Sequence, residues 1–364
     1  TKCELESQVE VAQNAEKSVK SLREILRGIE TYSTFQSFLD DMEALLKDCV
    51  VVKFQHAHDD RRSSAIELGR YLKGMLKRKG IILAGGLGTR LYPNTYVISK
   101  QLLPLYSKPT IYYPLSTLML AGINEIVFIS SPQHVGMFRE LLGDGAKLGC
   151  KFEYVEQPRP SGIAEALILA ADFLAGSPSA LILGDNVFYG QGLSMELRKA
   201  SDTCDGATIF ATKVAEPHRY GIVETDVNGK AISIAEKPDN PLSNDAVVGL
   251  YFYDNTAPQR AATLERSNRG ELEITDLNLS YLEDDKLNCI NLSRGITWFD
   301  MGTPSSMIES ASFVRTVEER DGRLICSPEE IAWVKNFISE QDFFELIEQM
   351  PDSYYREKLK AKLR

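Results

Sequence analysis

The sequence has 364 residues, enough for about two domains, and a formal net charge of −10. Its 43% hydrophobic and 25% charged residues are ordinary for a folded protein and exclude a disordered or collagen-like chain. The negative charge offers no basic face for nucleic acid, so an anionic ligand must be held by local cations and backbone N–H groups. No apolar run approaches the roughly 18 residues of a membrane span, so we expect no membrane partner.

The six cysteines are scattered along the chain without a Cys-x-x-Cys pair, and there are only four histidines. This composition argues against a zinc site built from cysteine and histidine. Scattered cysteines in a chain of this size are typical of reduced thiols, and we therefore expect a cytoplasmic protein.

Residues 1–74 differ in composition from the rest of the chain. All 15 prolines lie at or after Pro93, and only three of the 25 glycines fall in the first 74 residues. The lack of helix breakers favours helices, which could form a small bundle or a coiled coil that binds a partner. The heptad-spaced seam of the first helix is short and contains Gln8 and two alanines, which favours the bundle. We predict a helical appendage over 1–74 that carries no chemistry, followed by the main domain over 75–364.

After this segment, apolar strands alternate with helical stretches. Strands are predicted over 80–84, 125–130 and 179–183. Helices are predicted around 111–120, 138–142 and 164–174. Fully apolar strands in this alternation indicate a Rossmann-like α/β fold, with a mostly parallel sheet covered by helices on both faces.

Shorter strands over 207–211, 222–224, 231–235 and 247–253 are predicted to add antiparallel pairs to the sheet, because turns such as Asn228-Gly229 join them. The tail, from about 305 to 364, returns to helix. Ser327-Pro-Glu-Glu is a strong helix start. The apolar face of that helix is predicted to comprise Ile331, Val334, Phe337 and Ile338.

A glycine loop, Gly85-Gly86-Leu87-Gly88-Thr89-Arg90, follows the first strand. A dinucleotide-binding loop would need glycine at Leu91, and a Walker A loop would need Gly-Lys-Ser or Gly-Lys-Thr. Both are absent, which disfavours a nicotinamide-dependent oxidoreductase. Arg90, directly after the glycines at the end of a strand, is well placed to bind a triphosphate.

Three further charged residues follow or precede short apolar runs. Lys100 is a second cation, while Asp185 and Asp300 come after predicted strands. Alone, the lysine could be an ordinary surface residue and Asp185 a helix cap. Carboxylates at the carboxyl ends of strands are nevertheless good Mg²⁺ ligands, and parallel sheets bind ligands at those ends.

Six motifs occur in a fixed order: Gly85–Leu91, Ser99–Pro104, Lys108–Pro109, Gly184–Asn186, Glu236–Pro238 and Trp298–Thr303. Together they resemble the sugar-phosphate nucleotidyltransferases, most closely the glucose-1-phosphate thymidylyltransferases. The resemblance runs from about Met75 to the end, and the first 74 residues have no counterpart in it. It implies transfer of a thymidylyl group from dTTP to α-D-glucose 1-phosphate with Mg²⁺ as cofactor, by a homo-oligomer (a dimer or a tetramer).

The resemblance also implies a role for individual residues. Arg90, Lys100 and Asp185 match catalytic positions, and Asp185 and Asp300 match the Mg²⁺ ligands. Gly85, Gly86, Gly88 and Thr89 match the phosphate loop. The positions that match nucleobase and sugar contacts are Gln157, Gly162, Gly221, Glu236, Lys237, Val247 and Tyr251. The attacking phosphate oxygen is already anionic, so this chemistry needs positioning and electrostatics rather than a general base.

Two other functions stay open. A uridylyltransferase, or another sugar-1-phosphate nucleotidyltransferase, would share the fold, because the choice of base rests on few contacts. A non-catalytic nucleotide-sugar sensor could lose Arg90, Lys100, Asp185 or Asp300. All four are present, which favours an enzyme.

The helical appendage is predicted to be dispensable for chemistry. A chain beginning at Met75 should keep its kcat and both KM values within a few-fold of the full chain in steady-state assays, because every candidate site residue follows Met75. Folded protein that has lost turnover would show instead that the appendage completes the active site.

Overall fold

The computed structural model describes residues 77–86, 88–227 and 229–363. The helices predicted over 1–74 lie outside these residues. The strands are β1 (Lys79–Leu83), β2 (Pro104–Leu105), β3 (Lys108–Pro109), β4 (Glu125–Ser130), β5 (Lys151–Glu156), β6 (Ser179–Leu183), β7 (Asn186–Gly190), β8 (Ala207–Lys213), β9 (Gly221–Thr225), β10 (Ala231–Glu236), β11 (Asp245–Tyr253), β12 (Leu287–Asn291) and β13 (Ile296–Asp300).

The α-helices are α1 (Tyr112–Leu120), α2 (Val135–Leu142), α3 (Glu165–Leu169), α4 (Ala171–Leu174), α5 (Leu193–Asp202), α6 (Ala257–Ala262), α7 (Ile274–Glu283), α8 (Pro304–Asp321), α9 (Pro328–Val334), α10 (Glu340–Glu348) and α11 (Tyr354–Lys360). Short 3₁₀ helices span Thr89–Leu91, Lys100–Leu102, Ala146–Leu148, Pro217–Arg219 and Ala361–Leu363. In this described part of the chain, no helix is both long enough and apolar enough to cross a bilayer.

The central sheet has the strand order β10-β9-β11-β6-β1-β4-β5, with β8 paired to β11 and β12 paired to β8. Strands β6, β1, β4 and β5 are parallel neighbours. Within the described sheet, β10 and β11 run opposite to the other seven strands. The protein therefore has a mixed α/β fold with a mostly parallel central sheet.

Alternate residues of the parallel strands enter two different cores. Ile82, Phe128 and Ile182 pack on one face with α1, α2, α5 and the helices after α8. Ile81 and Val127 pack on the other face with α3, α4, α6 and α7. Side chains of a strand point alternately to its two faces, so the helices cover the sheet on both sides. Burying one such side chain contributes about 1.5–3 kcal/mol.

The apolar runs located most of the sheet correctly. Strands β4 and β6 have the predicted bounds, and β9, β10 and β11 form the expected antiparallel pairs. The prediction did not include β2, β3, β5, β7, β12 or β13. The last two residues of β7 and four residues of β13 are only half-buried, so they do not produce a continuous apolar run.

The predicted apolar face of the helix after Ser327 was wrong at Val334. Helix α9 ends at Val334, which is 61% exposed, whereas Ile331 and Ile338 are buried. After the helix, Asn336 has a φ of +58°, a left-handed conformation that asparagine tolerates and that ends the helical path. Phe337 consequently packs against the core from outside the helix.

A buried ion pair joins the β2–β3 hairpin to α8. Lys108 Nζ lies 2.7 Å from Glu318 Oε1, and the two side chains are 1% and 0% exposed. The same carboxylate accepts a hydrogen bond of 3.1 Å from the backbone N–H of Ile325. Because the hairpin directly follows the 3₁₀ helix Lys100–Leu102, this pair restrains the segment that carries Lys100.

Breaking this pair on one side should be costly, since it leaves an unpaired charge in the core. We expect Lys108→Met to lower the free energy of unfolding by about 3–5 kcal/mol in urea titrations. The double variant Lys108→Met/Glu318→Leu should recover most of that loss, because it removes both charges. If Lys108→Met were as stable as the unmodified protein, the ion pair would not stabilise the fold in this way.

Candidate active site

A cavity of about 390 Å³ lies where the strands of the parallel sheet end. Thirteen of the predicted site residues line it: Gly85, Gly86, Arg90, Lys100, Gln157, Gly162, Asp185, Gly221, Glu236, Lys237, Val247, Tyr251 and Asp300. Gly88 and Thr89 are not among the lining residues. This position agrees with the rule that α/β sheets bind ligands at the carboxyl ends of their strands.

The glycine loop places Arg90 beside the strand that ends in Asp300. Gly88 has a φ of +58°, and a methyl group there would lie 2.9 Å from Thr95 Cγ2. Gly88 thus shapes the turn instead of lining the cavity. A methyl group on Gly302 would lie 2.8 Å from Arg90 Nη2. The glycine at that position therefore makes room for the guanidinium group.

The two candidate metal ligands are brought together by backbone pairing. Strands β7 and β13 pair so that Asp300 lies opposite Asn186, the neighbour of Asp185. The backbone N–H of Met301 also donates to the backbone oxygen of Asp185, at 3.2 Å. Residues far apart in sequence therefore present their carboxyl groups to the same end of the cavity.

Polar side chains hold Asp185 from two sides. Lys100 Nζ donates to its Oδ2, and Asn186 Nδ2 donates to its Oδ1 at 3.1 Å. The amide oxygen of Asn186 accepts from Trp298 Nε1 at 2.6 Å and from the backbone N–H of Gly249 at 3.1 Å. These contacts fix the orientation of the Asn186 amide and, through it, that of the carboxylate.

The Asp300 carboxyl group is largely buried and lies near the Asp185 carboxylate. Burial and the neighbouring Asp185 carboxylate raise its pKa, while Lys100, Arg90 and Arg219 act in the opposite direction. Two adjacent carboxylates in a partly desolvated site suit a hard cation, and Mg²⁺ typically takes one or two carboxylates together with phosphate oxygens. In the described part of the chain, no cluster of three or more potential metal-ligating side chains occurs. A metal here would thus need ligands from a substrate.

The other end of the cavity combines a carboxylate with cations. Glu236 Oε2 accepts from Thr275 Oγ1 at 2.8 Å, and Lys237 Nζ donates to Oε1. Desolvation raises the pKa of Glu236, but these two hydrogen bonds and the charges of Lys237 and Arg269 outweigh it, so the net shift is downward. Glu236 is therefore an ionised acceptor at neutral pH, suited to hydroxyl groups of a ligand.

Tyr251 forms the floor of this end. Its side chain is 4% exposed and its ring stacks on Tyr253, with centroids 6.1 Å apart. Burial and the nearby Glu236 carboxylate raise its pKa far above the usual range. The phenol thus stays neutral at physiological pH.

Several lining residues were not predicted to have a role: Asn186, Arg219, Arg269, Thr275 and Trp298. Arg219 ends the 3₁₀ helix Pro217–Arg219 and Arg269 lies in a turn, and each precedes a glycine by one or two residues. An arginine near a glycine is the signal that could have suggested them. Asn186 and Trp298 lie inside motifs named in the sequence analysis, but no role was assigned to them there. Thr275 carries no such signal, because only the folded chain brings it to the cavity.

Comparisons with known proteins agree on one family. The family model described as Nucleotidyl transferase matches residues 79–317, more than half of the chain. A glucose-1-phosphate thymidylyltransferase of Xanthomonas campestris pv. campestris is 51% identical over 287 residues, which cover 79% of this chain and 97% of that protein. One from Neisseria meningitidis is 50% identical over 277 residues, covering 76% and 96%.

Solved structures show the same architecture. A crystal structure of a candidate glucose-1-phosphate thymidylyltransferase from Bacillus anthracis, in complex with a sucrose, is 38% identical with a TM-score of 0.61. The match covers 65% of this chain and 95% of that one. A UDP-glucose pyrophosphorylase complexed with UDP-glucose matches with a TM-score of 0.57 at 22% identity, a likeness of fold alone.

The raised pKa of Asp300 predicts how its neutral isostere behaves. Since the folded pKa lies above the unfolded value, ionisation of Asp300 destabilises the fold, fully so above the folded pKa. We expect Asp300→Asn to raise the Tm of the ligand-free protein at neutral pH in scanning calorimetry. The gain should shrink as the pH falls through the folded pKa. The exposed Asp239 provides a control in Asp239→Asn, and an equal gain there would contradict the assignment.

Proposed function

The chain belongs to the nucleotidyl transferase family and, within it, to the glucose-1-phosphate thymidylyltransferases, and we propose that it transfers a thymidylyl group from dTTP to α-D-glucose 1-phosphate. The products are dTDP-glucose and pyrophosphate. The observation that carries the proposal is that Gly85, Gly86, Asp185, Asp300, Glu236 and Lys237 line one and the same cavity. It offers cations for two phosphorylated ligands and an ionised acceptor for sugar hydroxyls.

The reaction requires little proton chemistry. An anionic phosphate oxygen of glucose 1-phosphate attacks the α-phosphorus of dTTP, a new P–O bond forms, and the bond to the β-phosphate bridging oxygen breaks as pyrophosphate leaves. Among the described residues that line the cavity there is no histidine or cysteine, which is consistent with this. The barrier lies in bringing two polyanions into line and in the charge that develops on the leaving group.

The cations divide between the two substrates. Arg90 and Lys100 lie near Asp185 and Asp300, at the end assigned to the triphosphate, and they offset its charge. Lys237 lies beside Glu236, at the end assigned to the sugar phosphate. This division places the attacking oxygen between the two groups of cations.

We assign Mg²⁺ as the cofactor, held by Asp185 and Asp300. The fit rests on the donor set, two adjacent carboxylates, and burial and the Asp185 carboxylate raise the pKa of one of them, Asp300. When bound, Mg²⁺ would neutralise part of the negative charge of the triphosphate. Lys100 and Asn186 keep the Asp185 carboxylate directed at the cavity.

UTP is the alternative nucleotide. Thymine and uracil present the same carbonyl and N–H groups to the Gln157 amide, so the proposed preference for dTTP rests on the relatives named above. The cytoplasmic location and the homo-oligomeric state stay predictions.

The proposed reaction is tested by pyrophosphate release from the purified protein with glucose 1-phosphate. We expect dTTP to be the best substrate among dTTP, UTP, dCTP and dATP, and EDTA in excess of Mg²⁺ to abolish turnover. A higher kcat/KM for UTP than for dTTP would favour the uridylyltransferase. Binding of nucleotides without any turnover would favour the non-catalytic sensor.

Arg90 and Lys237 should differ in which kinetic constant they control. Arg90→Ala should lower kcat by at least about 100-fold, because the lost charge acts on the transferring group and the leaving pyrophosphate. Lys237→Ala should chiefly raise KM for glucose 1-phosphate. The exposed Lys213 serves as the control in Lys213→Ala, which should change neither constant. The reverse pattern in steady-state kinetics would overturn this division of roles.

A further inference from the structure

We propose that Glu165 is a positioning residue that sets the orientation of the Gln157 amide and thereby selects nucleobases with an N–H group at ring position 3. The inference rests on the proposed function, in which Gln157 faces the nucleobase. It adds a residue that was not predicted from the sequence and that touches Gln157 from the side away from the glycine loop.

The contacts of Gln157 distinguish the two ends of its amide. Gln157 directly follows β5 and is 4% exposed. Its Nε2 donates to Glu165 Oε2 at 2.9 Å and lies 3.5 Å from the backbone oxygen of Gly162. Its Oε1 lies 2.8 Å from the position that a Cβ would take on Gly85. The amide nitrogen is therefore engaged by protein, and the carbonyl oxygen faces the glycine loop.

Glu165 makes this orientation the favoured one. An ionised carboxylate has only acceptor atoms, so it can pair with the amide N–H groups and not with the amide oxygen. A reversed amide would place Oε1 against both Glu165 Oε2 and the Gly162 carbonyl, leaving three acceptors together without a proton. The carboxylate is itself restrained, because Glu165 begins α3 and its Oε1 lies 3.4 Å from Arg266 Nη2.

The orientation has a direct consequence for recognition. In the described part of the chain, no donor forms a hydrogen bond with Gln157 Oε1, so this oxygen is available to a ligand in the cavity that Gln157 lines. Thymine and uracil carry an N3–H donor, which this oxygen can accept. Cytosine has the same size but carries a lone pair at N3, which would face the oxygen lone pairs. Glu165 thus acts through Gln157 against cytosine, while it leaves thymine and uracil equivalent.

The test compares dUTP with dCTP, whose bases differ only at ring position 3, which Gln157 Oε1 would contact, and at the adjoining position 4. The measured quantity is the ratio of kcat/KM for dUTP to that for dCTP, in pyrophosphate release with glucose 1-phosphate. We expect Glu165→Ala to lower this ratio by at least about tenfold, because the Gln157 amide can then rotate. Glu165→Gln, whose amide can meet either end of Gln157, should give an intermediate ratio.

Two controls separate this role from a structural one. Glu156→Ala removes an exposed carboxylate next to Gln157 in sequence and should leave the ratio unchanged. In a Gln157→Leu background, Glu165→Ala should have no further effect on the ratio, because the group that it orients is gone. A general structural defect would lower activity with both nucleotides and persist in that background.

An unchanged ratio in folded Glu165→Ala, or a fall in the ratio that persists with Gln157→Leu, would overturn the proposal. If Glu165→Ala does not fold, an unchanged ratio in Glu165→Gln overturns it equally. Failure of the proposed function is recognised separately, since the unmodified protein would then release no pyrophosphate from dTTP or dUTP.

Discussion

The active site depends on one electrostatic constraint, which is the enforced proximity of two carboxylates. Asp185 and Asp300 cannot move apart, because the pairing of β7 with β13 holds their backbones together. Their repulsion contributes to the raised pKa of Asp300, and it makes the surrounding cations necessary. Arg90 and Lys100 offset part of this negative charge, and Lys100 donates a hydrogen bond to Asp185. The buried ion pair of Lys108 and Glu318 restrains the segment that carries Lys100. A bound cation would offset the remaining repulsion between the two carboxylates.

A buried side-chain amide connects the central sheet to the Asp185 carboxylate. In β11, the pairing register shifts between Val247 and Tyr251, and Gly249, inside this irregularity, donates its N–H to Asn186. Asn186 in turn positions Asp185, as Glu165 does for Gln157 at the other side of the glycine loop. The side-chain amides of Asn186 and Gln157 can each adopt two orientations. Donors from Gly249 and Trp298 fix that of Asn186, and the Glu165 acceptor fixes that of Gln157. Preorganisation of this kind is what electrostatic catalysis requires, since it avoids rearrangement during the reaction.

Much of this arrangement could be predicted from the sequence, for physical reasons. Buried parallel strands such as β4 and β6 need continuous apolar runs, and a phosphate loop needs glycines beside a cation, so both leave local signals. Asn186 lies in a motif, but the orientation of its amide depends on Gly249 and Trp298, which are distant in the chain. Thr275 likewise meets Glu236 only in the folded chain, and the eight-residue spacing of Gln157 and Glu165 does not by itself indicate their contact. Val334 was assigned wrongly because the apolar face was continued to the last residue of α9, whose side chain is exposed. Phe337 and Ile338 reach the core from beyond Asn336, where the backbone leaves the helix.

The central claim is that Asp185 and Asp300 bind a metal together with the triphosphate. Calorimetric titration of dTTP in the absence of glucose 1-phosphate, with and without Mg²⁺, tests it without any turnover. We expect the unmodified protein to bind dTTP at least about tenfold more tightly with Mg²⁺, and both Asp185→Asn and Asp300→Asn to lose this preference. Equal affinity with and without Mg²⁺ in the unmodified protein, or an undiminished preference in both variants, would contradict the claim.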